Sequence, residues 1–113
     1  MITKETKNTK KFYVSVNIPN ALESIGSNAE YIKRIHRRQT RRPFANKDEI
    51  SNMENSLQKI ERNVGLIRLA IKLNGESIEK YRNEPYYSFF NDGVDVFIKS
   101  FHNIVERDKR YCY

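Results

Sequence analysis

The sequence predicts a mainly α-helical protein that begins with one β-strand and ends in an antiparallel helical hairpin. Apolar and polar residues alternate over residues 11–18, which is the two-residue period of a half-buried strand. Apolar residues then repeat every seven positions through residues 47–74. Residues 94–105 carry apolar side chains at the three- and four-residue spacings of an amphipathic helix. Together these patterns predict a strand, a short helical part and two longer helices.

The charge of the chain is concentrated at one end. The 113 residues carry a formal net charge of +7, from 21 Lys and Arg against 14 Asp and Glu. Residues 1–46 hold ten basic and three acidic groups, whereas residues 47–113 hold eleven of each. This asymmetry indicates a polyanion-binding front part joined to a neutral body, and nucleic acid is the commonest polyanion in a cytosol. A solvated basic tail that keeps the protein soluble is the alternative interpretation.

The predicted strand follows a basic arm. Residues 1–10 have almost no apolar side chains, which is typical of a flexible segment. In the strand, one face is apolar and the other is polar. The apolar face consists of Phe12, Val14, Val16 and Ile18, and the polar face of Lys11, Tyr13, Ser15 and Asn17. Pro19 is predicted to end the strand, because proline cannot donate a hydrogen bond to a ladder.

A basic helix is predicted next. Residues 20–25 form a short helical segment that Gly26 ends, and Ser27 or Asn28 caps a second helix. The basic residues of that helix and of the connection after it are Lys33, Arg34, Arg37, Arg38, Arg41 and Arg42. Like charges three and four residues apart repel one another unless a polyanion neutralises them. A solvated helix face is again the alternative.

The longest predicted helix spans residues 47–74. Asn46 or Asp48 is its expected N-cap, and Gly75 is its expected C-terminal stop. Its heptad stripe consists of Ile50, Met53, Leu57, Ile60, Val64, Ile67 and Ile71. Gly65 lies inside this helix, and the expected reason is close approach of a neighbouring backbone.

A final helix completes the predicted hairpin. Residues 77–82 predict a short helical turn, and the last helix begins near Asp92 and fades out near residue 110. We expect it to pack against residues 47–74, with a partner chain covering the remaining apolar face. The predicted organisation is an arm over 1–10, a basic strand-helix part over 11–42 and a helical hairpin over 43–113.

The strand and the basic helix together predict a DNA-binding surface. A lone strand has an unpaired edge, and pairing with its twin in a homodimer makes a two-stranded ribbon that fits a major groove. The residues predicted to face the bases are Lys11, Tyr13, Ser15 and Asn17. Asn17 is the best candidate for base recognition, since an amide can pair with adenine. The helix N-terminus at Ser27 and Asn28 is predicted to bind a phosphate.

Two segments resemble a known family. Residues 26–35, Gly-Ser-Asn-Ala-Glu-Tyr-Ile-Lys-Arg-Ile, resemble the second-helix signature of ribbon-helix-helix proteins. Residues 66–74, Leu-Ile-Arg-Leu-Ala-Ile-Lys-Leu-Asn, are similar to a helix of MobC-type mobilisation proteins. The resemblance implies a ribbon-helix-helix-like front part and a relaxosome accessory role at the transfer origin of a plasmid or other mobile element. A relaxase is then a possible partner.

Catalytic and targeting motifs are not found in the sequence. It has no glycine-rich phosphate loop and no nucleophile elbow, and one Cys with two His residues makes a zinc site implausible. We therefore expect neither an enzyme nor a cofactor or metal. The polar start and the lack of a long apolar run predict a cytoplasmic protein that does not interact with membranes.

These observations favour a small DNA-binding accessory or regulatory protein that holds double-stranded DNA. A second hypothesis is a phage- or plasmid-encoded protein-binding module or inhibitor that docks its basic front on an acidic protein or nucleoprotein. RNA binding, with Phe12 and Tyr13 as stacking platforms, is a third, although one strand makes a poor platform.

Overall fold

The computed structural model describes residues 16–38 and 46–111, and within these ranges every regular element is helical. The elements are helices α1 (Ile18–Arg37), α2 (Lys47–Asn74) and α3 (Val94–Tyr111), with a 3₁₀ turn over Ile78–Tyr81 and a π-helical turn over Phe89–Gly93. The described residues contain no β-strand, so the fold is a helical bundle. None of the described helices is long and apolar enough to cross a membrane.

Helix α1 begins where the strand was predicted to end. The side chain of Asn17 accepts a hydrogen bond from the backbone N–H of Asn20 at 3.0 Å, and Pro19 lies in the first turn. The predicted strand-first fold is wrong, because Ile18 is the first residue of a helical apolar stripe and Pro19 helps to start a helix. Residues 11–15 of the predicted strand lie outside the described residues.

Gly26 does not end a helix, and α1 runs through it without interruption. The residue is buried, and the ring of Tyr86 packs directly against it. The buried stripe of α1 consists of Ile18, Ala21, Leu22, Ile25, Ala29, Ile32 and Ile35. This stripe continues on both sides of Gly26 at helical spacing, so the packing of the whole helix outweighs the low helix propensity of one glycine.

Helix α2 has the predicted bounds and caps. Asn46 and Glu49 form a capping box in which each side chain accepts a hydrogen bond from the other backbone N–H, at 2.8 and 2.9 Å. Gly75 ends the helix with φ 67°, a left-handed conformation that glycine adopts without strain. The expected close approach at Gly65 is wrong, since no atom outside its own stretch of α2 lies within 4 Å of its Cβ position.

Helix α3 lies antiparallel to α2 and is joined to it by two ion pairs and by a contact between His102 and Glu61. Arg68 pairs with Asp95 at 2.8 Å, Glu61 with His102 at 3.0 Å, and Glu54 with Lys109 at 2.6 Å. From one contact to the next, the α2 residue moves seven positions toward the N-terminus and the α3 residue moves seven positions toward the C-terminus. This register is that of an antiparallel pair of helices whose flanking charges complement one another.

Helix α1 covers the apolar face of this hairpin. Leu22, Ile25 and Ile32 of α1 are among the fully buried side chains, and they share one core with residues of α2 and α3. The other large fully buried apolar side chains are Met53, Leu57, Ile60, Ile67, Val94 and Val105. The face that we expected a partner chain to cover is therefore covered from within the same chain.

Candidate nucleic-acid interface

The C-terminal end of α1 and its C-cap residue Arg38 form a basic segment, which we define as residues 33–38. Its four Lys and Arg residues are all exposed, and no acidic residue interrupts it. Arg34, Arg37 and Arg38 stand three and four positions apart, so they lie close together on the solvent side of the helix. The result is a compact patch of positive charge at one end of α1.

The three arginines of this patch have no ionic partners among the described residues. No carboxylate in that part of the chain pairs with Arg34, Arg37 or Arg38. Elsewhere, Arg68 and Lys109 are held by carboxylates at 2.8 and 2.6 Å. The helix dipole favours cations at a C-terminus by about 0.3–1 kcal/mol each, which partly offsets their mutual repulsion. A bound anion would neutralise the repulsion that remains.

Lys33 differs from the arginines because it takes part in packing. Its Nζ lies 5.6 Å from the centre of the Phe89 ring and 5.7 Å from that of Phe97. His36 meets the ring of Phe101 edge to face, with 5.5 Å between ring centres. Phe89, Phe97 and Phe101 therefore form an aromatic support beneath the basic segment, and this support joins α1 to α3.

Of the predicted base-reading residues, the structure describes Asn17, which does not join this patch. Asn17 caps the opposite end of α1, and the 17 residues that separate it from Arg34 span about 26 Å at 1.5 Å per residue. Lys11, Tyr13 and Ser15 lie outside the described residues, as do Arg41 and Arg42. Of the predicted site, the structure thus brings together the four basic residues of α1.

The predicted phosphate site at Ser27 and Asn28 is wrong. Both residues lie in the middle of α1, where backbone N–H groups are already bonded within the helix. The Asn28 side chain donates to the backbone oxygen of Ser24 at 2.8 Å. Since no helix begins at this point, no free N–H groups are offered to an anion.

The residues that hold the basic segment in place were not predicted from the sequence. Tyr86 packs on Gly26, and its hydroxyl donates to the Glu30 carboxylate at 3.1 Å. This hydrogen bond, together with burial and the charges of Glu30 and Glu23, raises the pKa of Tyr86 above its ordinary value. The aromatic run of residues 86–90 was the available signal, but its partners lie some 56 positions away.

Within the described part of the chain, no three His, Cys, Asp or Glu residues are grouped to hold a metal ion. The site offers cations and hydrogen-bond donors, which suit an anionic ligand.

No family model matches the chain, and searches of curated proteins and of solved structures found no significant match. The function must therefore be argued from the site itself.

Proposed function

We propose that the protein is a small accessory or regulatory protein of the cytoplasm that binds double-stranded DNA through its phosphates. The basic segment of α1 supplies the main contact. The observation that carries the proposal is the group of Arg34, Arg37 and Arg38, exposed and without carboxylate partners in the described structure. A guanidinium presents a planar fork of donors that matches phosphate oxygens, so arginine is well suited to this contact.

The aromatic residues near the segment favour a duplex over a single strand. Proteins that bind single strands stack bases on exposed aromatic rings. Phe97 and Phe101 are each only 8% exposed, because they support α1 from below. The segment thus offers charge with little exposed aromatic surface beneath it, which suits a duplex that presents its phosphates outward.

The hydrogen bond of the Asn17 side chain bears on whether the protein prefers particular DNA sequences. Its side-chain oxygen caps α1, far along the helix from the arginines. We therefore attribute affinity to the basic segment, and we attribute no base recognition to Asn17. Phosphate contacts position a protein on DNA but carry no direct sequence information.

The proposal is tested by fluorescence anisotropy with duplex DNA, single-stranded DNA and duplex RNA of equal length, at about 50 and 200 mM salt. We expect the tightest binding to duplex DNA, and weaker binding at the higher salt. A variant with Arg34, Arg37 and Arg38 replaced by Ala should bind at least tenfold more weakly.

The matched control replaces Lys72, Arg82 and Lys99 by Ala, which removes three exposed charges from other parts of the molecule. If both triple variants lost the same affinity, general charge rather than the basic segment would explain binding. Failure of the unaltered protein to bind any of the three nucleic acids would contradict the proposal.

A further inference from the structure

A cleft of about 320 Å³ lies beside the first half of α1, against residues 84–86. Its apolar lining consists of Leu22, which is only 1% exposed, with Pro19, Pro85 and Tyr86. Glu23 of α1 and Glu84 also line it. The cleft thus combines an apolar lining with two carboxylates.

The carboxylates of this cleft have no cationic partners in the described structure. Neither Glu23 nor Glu84 pairs with a Lys or Arg there, although the chain has 21 basic residues against 14 acidic ones. A third carboxylate of α1, that of Glu30, accepts the hydrogen bond of the cleft-lining Tyr86 at 3.1 Å. The cleft therefore favours a cation that also has an apolar stem.

The same helix carries cations of this kind at its other end. Glu23 and Arg34 are eleven residues apart, close to three full turns, so they lie on one face of α1. If two copies of α1 pair antiparallel about a point between Asn28 and Ala29, Glu23 of each copy comes opposite the partner subunit's Arg34. The same symmetry sets Asn20 opposite the partner subunit's Arg37. An isologous contact requires this kind of self-complementarity.

We propose that the cleft binds the basic segment of a second copy of the chain, giving a two-fold dimer along α1. Arginine stems pack on Pro85 and Tyr86, while their guanidinium groups pair with Glu23 and Glu84. The arginines that bind the partner are those assigned to DNA, so DNA and the second copy compete for them. Only this competition rests on the proposed function, because the dimer itself needs no DNA.

The test measures the mass of the full chain in solution, without nucleic acid, by sedimentation equilibrium. Protein concentration runs from about 10 µM to 1 mM, at about 50 and 500 mM salt, since exposed ion pairs are screened at high salt. We expect the mass to rise toward two chains at low salt and to stay near one chain at high salt. A single-chain mass throughout the low-salt series would overturn the proposal.

Charge reversal tests the pairing itself. Glu23→Arg alone and Arg34→Glu alone should each weaken association at least fivefold, and the two together should restore it, because the symmetric pair is re-formed with reversed signs. Glu79→Arg, at an exposed position away from the cleft, should leave association unchanged. Circular dichroism checks that each variant is helical. If the Glu23→Arg variant does not fold, Glu23→Gln provides a milder substitution at the same position.

Two well-folded single variants that associate normally, or a double variant that does not recover, would show that Glu23 and Arg34 do not pair. Since no nucleic acid is present, this failure would leave the proposed DNA binding untouched. Conversely, loss of DNA binding would leave the dimer measurement unaffected.

Discussion

The ring of Tyr86 lies against Gly26 so closely that a Cβ at position 26 would overlap the ring. Its hydroxyl reaches one turn further along α1 to Glu30, at 3.1 Å. These two contacts tie the segment before α3 to the middle of α1. Further along α1, Lys33 packs on the ring of Phe97 and His36 on that of Phe101. Contacts from Gly26 to His36 therefore hold the basic segment in place.

Gly26→Ala is expected to destabilise the protein. Overpacking against a fixed ring costs about 1–3 kcal/mol, whereas alanine gains only about 1 kcal/mol in helix propensity. The net loss should reach about 2 kcal/mol in the free energy of unfolding. Urea denaturation followed by circular dichroism measures it.

Gly65→Ala is the matched control, since no atom outside its own stretch of α2 lies within 4 Å of the Cβ position there. The substitution should stabilise the protein by up to about 1 kcal/mol through helix propensity alone. A Gly26→Ala variant as stable as the Gly65→Ala variant would contradict the packing of Tyr86 on α1.

Stability at alkaline pH should depend on Tyr86. Its hydrogen bond to the Glu30 carboxylate requires the protonated phenol, so folding raises the pKa of Tyr86. A raised pKa contributes stability below the ordinary tyrosine value near 10, and this contribution is lost as pH rises through the higher folded value. Tyr86→Phe should therefore flatten the fall in urea midpoint between about pH 9 and 11. An unchanged slope in the phenylalanine variant would show that this hydrogen bond does not form.

The ion pair of Arg68 and Asp95 should give a measurable coupling energy. Both side chains are more than half exposed, so a double-mutant cycle to Ala should yield about 0.2–1 kcal/mol in the free energy of unfolding. The pair of Arg62 and Asp95 serves as the control, because no ion pair joins them in the described structure. Equal coupling in both cycles would argue against the seven-residue register of α2 and α3.

Removal of the charge of Lys33 and removal of the charge of Arg37 should have different effects on DNA binding and on stability. Arg37→Gln should reduce the slope of log affinity against log salt by about one unit, as expected for one lost phosphate contact. Lys33→Gln should leave the slope nearly unchanged and lower stability by about 0.5–1 kcal/mol, because its ammonium rests on two rings. Equal changes in slope would place Lys33 among the phosphate contacts.

The hairpin could be predicted because its signals are local. Asn46 and Glu49 form the capping box that their spacing indicates, and Gly75 takes the left-handed conformation expected of a helix stop. The heptad stripe of α2 and the apolar stripe of α3 are buried as expected, except that Ile71 and Ile98 are only partly buried. These features depend on residues within a few positions of one another.

The helix over residues 18–37 was mispredicted because its decisive contacts are distant in sequence. Ile18 continued the alternation of the residues before it, yet it also starts the helical stripe that includes Leu22 and Ile25. Gly26 has the local character of a helix break, and only Tyr86, sixty positions later, explains it. Periodicity alone could not decide between the two patterns over so short a stretch.

The sequence predicted which basic residues the candidate site contains, but not which other residues they contact. The density of Arg34, Arg37 and Arg38 is visible in the sequence, and the structure leaves all three exposed. That Lys33 rests on Phe89 and Phe97 follows only from the placement of α3. Asn17 was assigned to bases because an amide suits adenine, but an Asn directly before a helix is equally a good cap.

Binding through the basic segment is tested most directly by the salt dependence of duplex DNA affinity. The slope of log affinity against log salt is compared between the unaltered protein and the variant with Arg34, Arg37 and Arg38 replaced by Ala. If these arginines bind phosphates, the slope should become shallower by about three units, nearly one for each lost contact. Parallel lines for the two proteins would contradict the assignment of the basic segment to DNA.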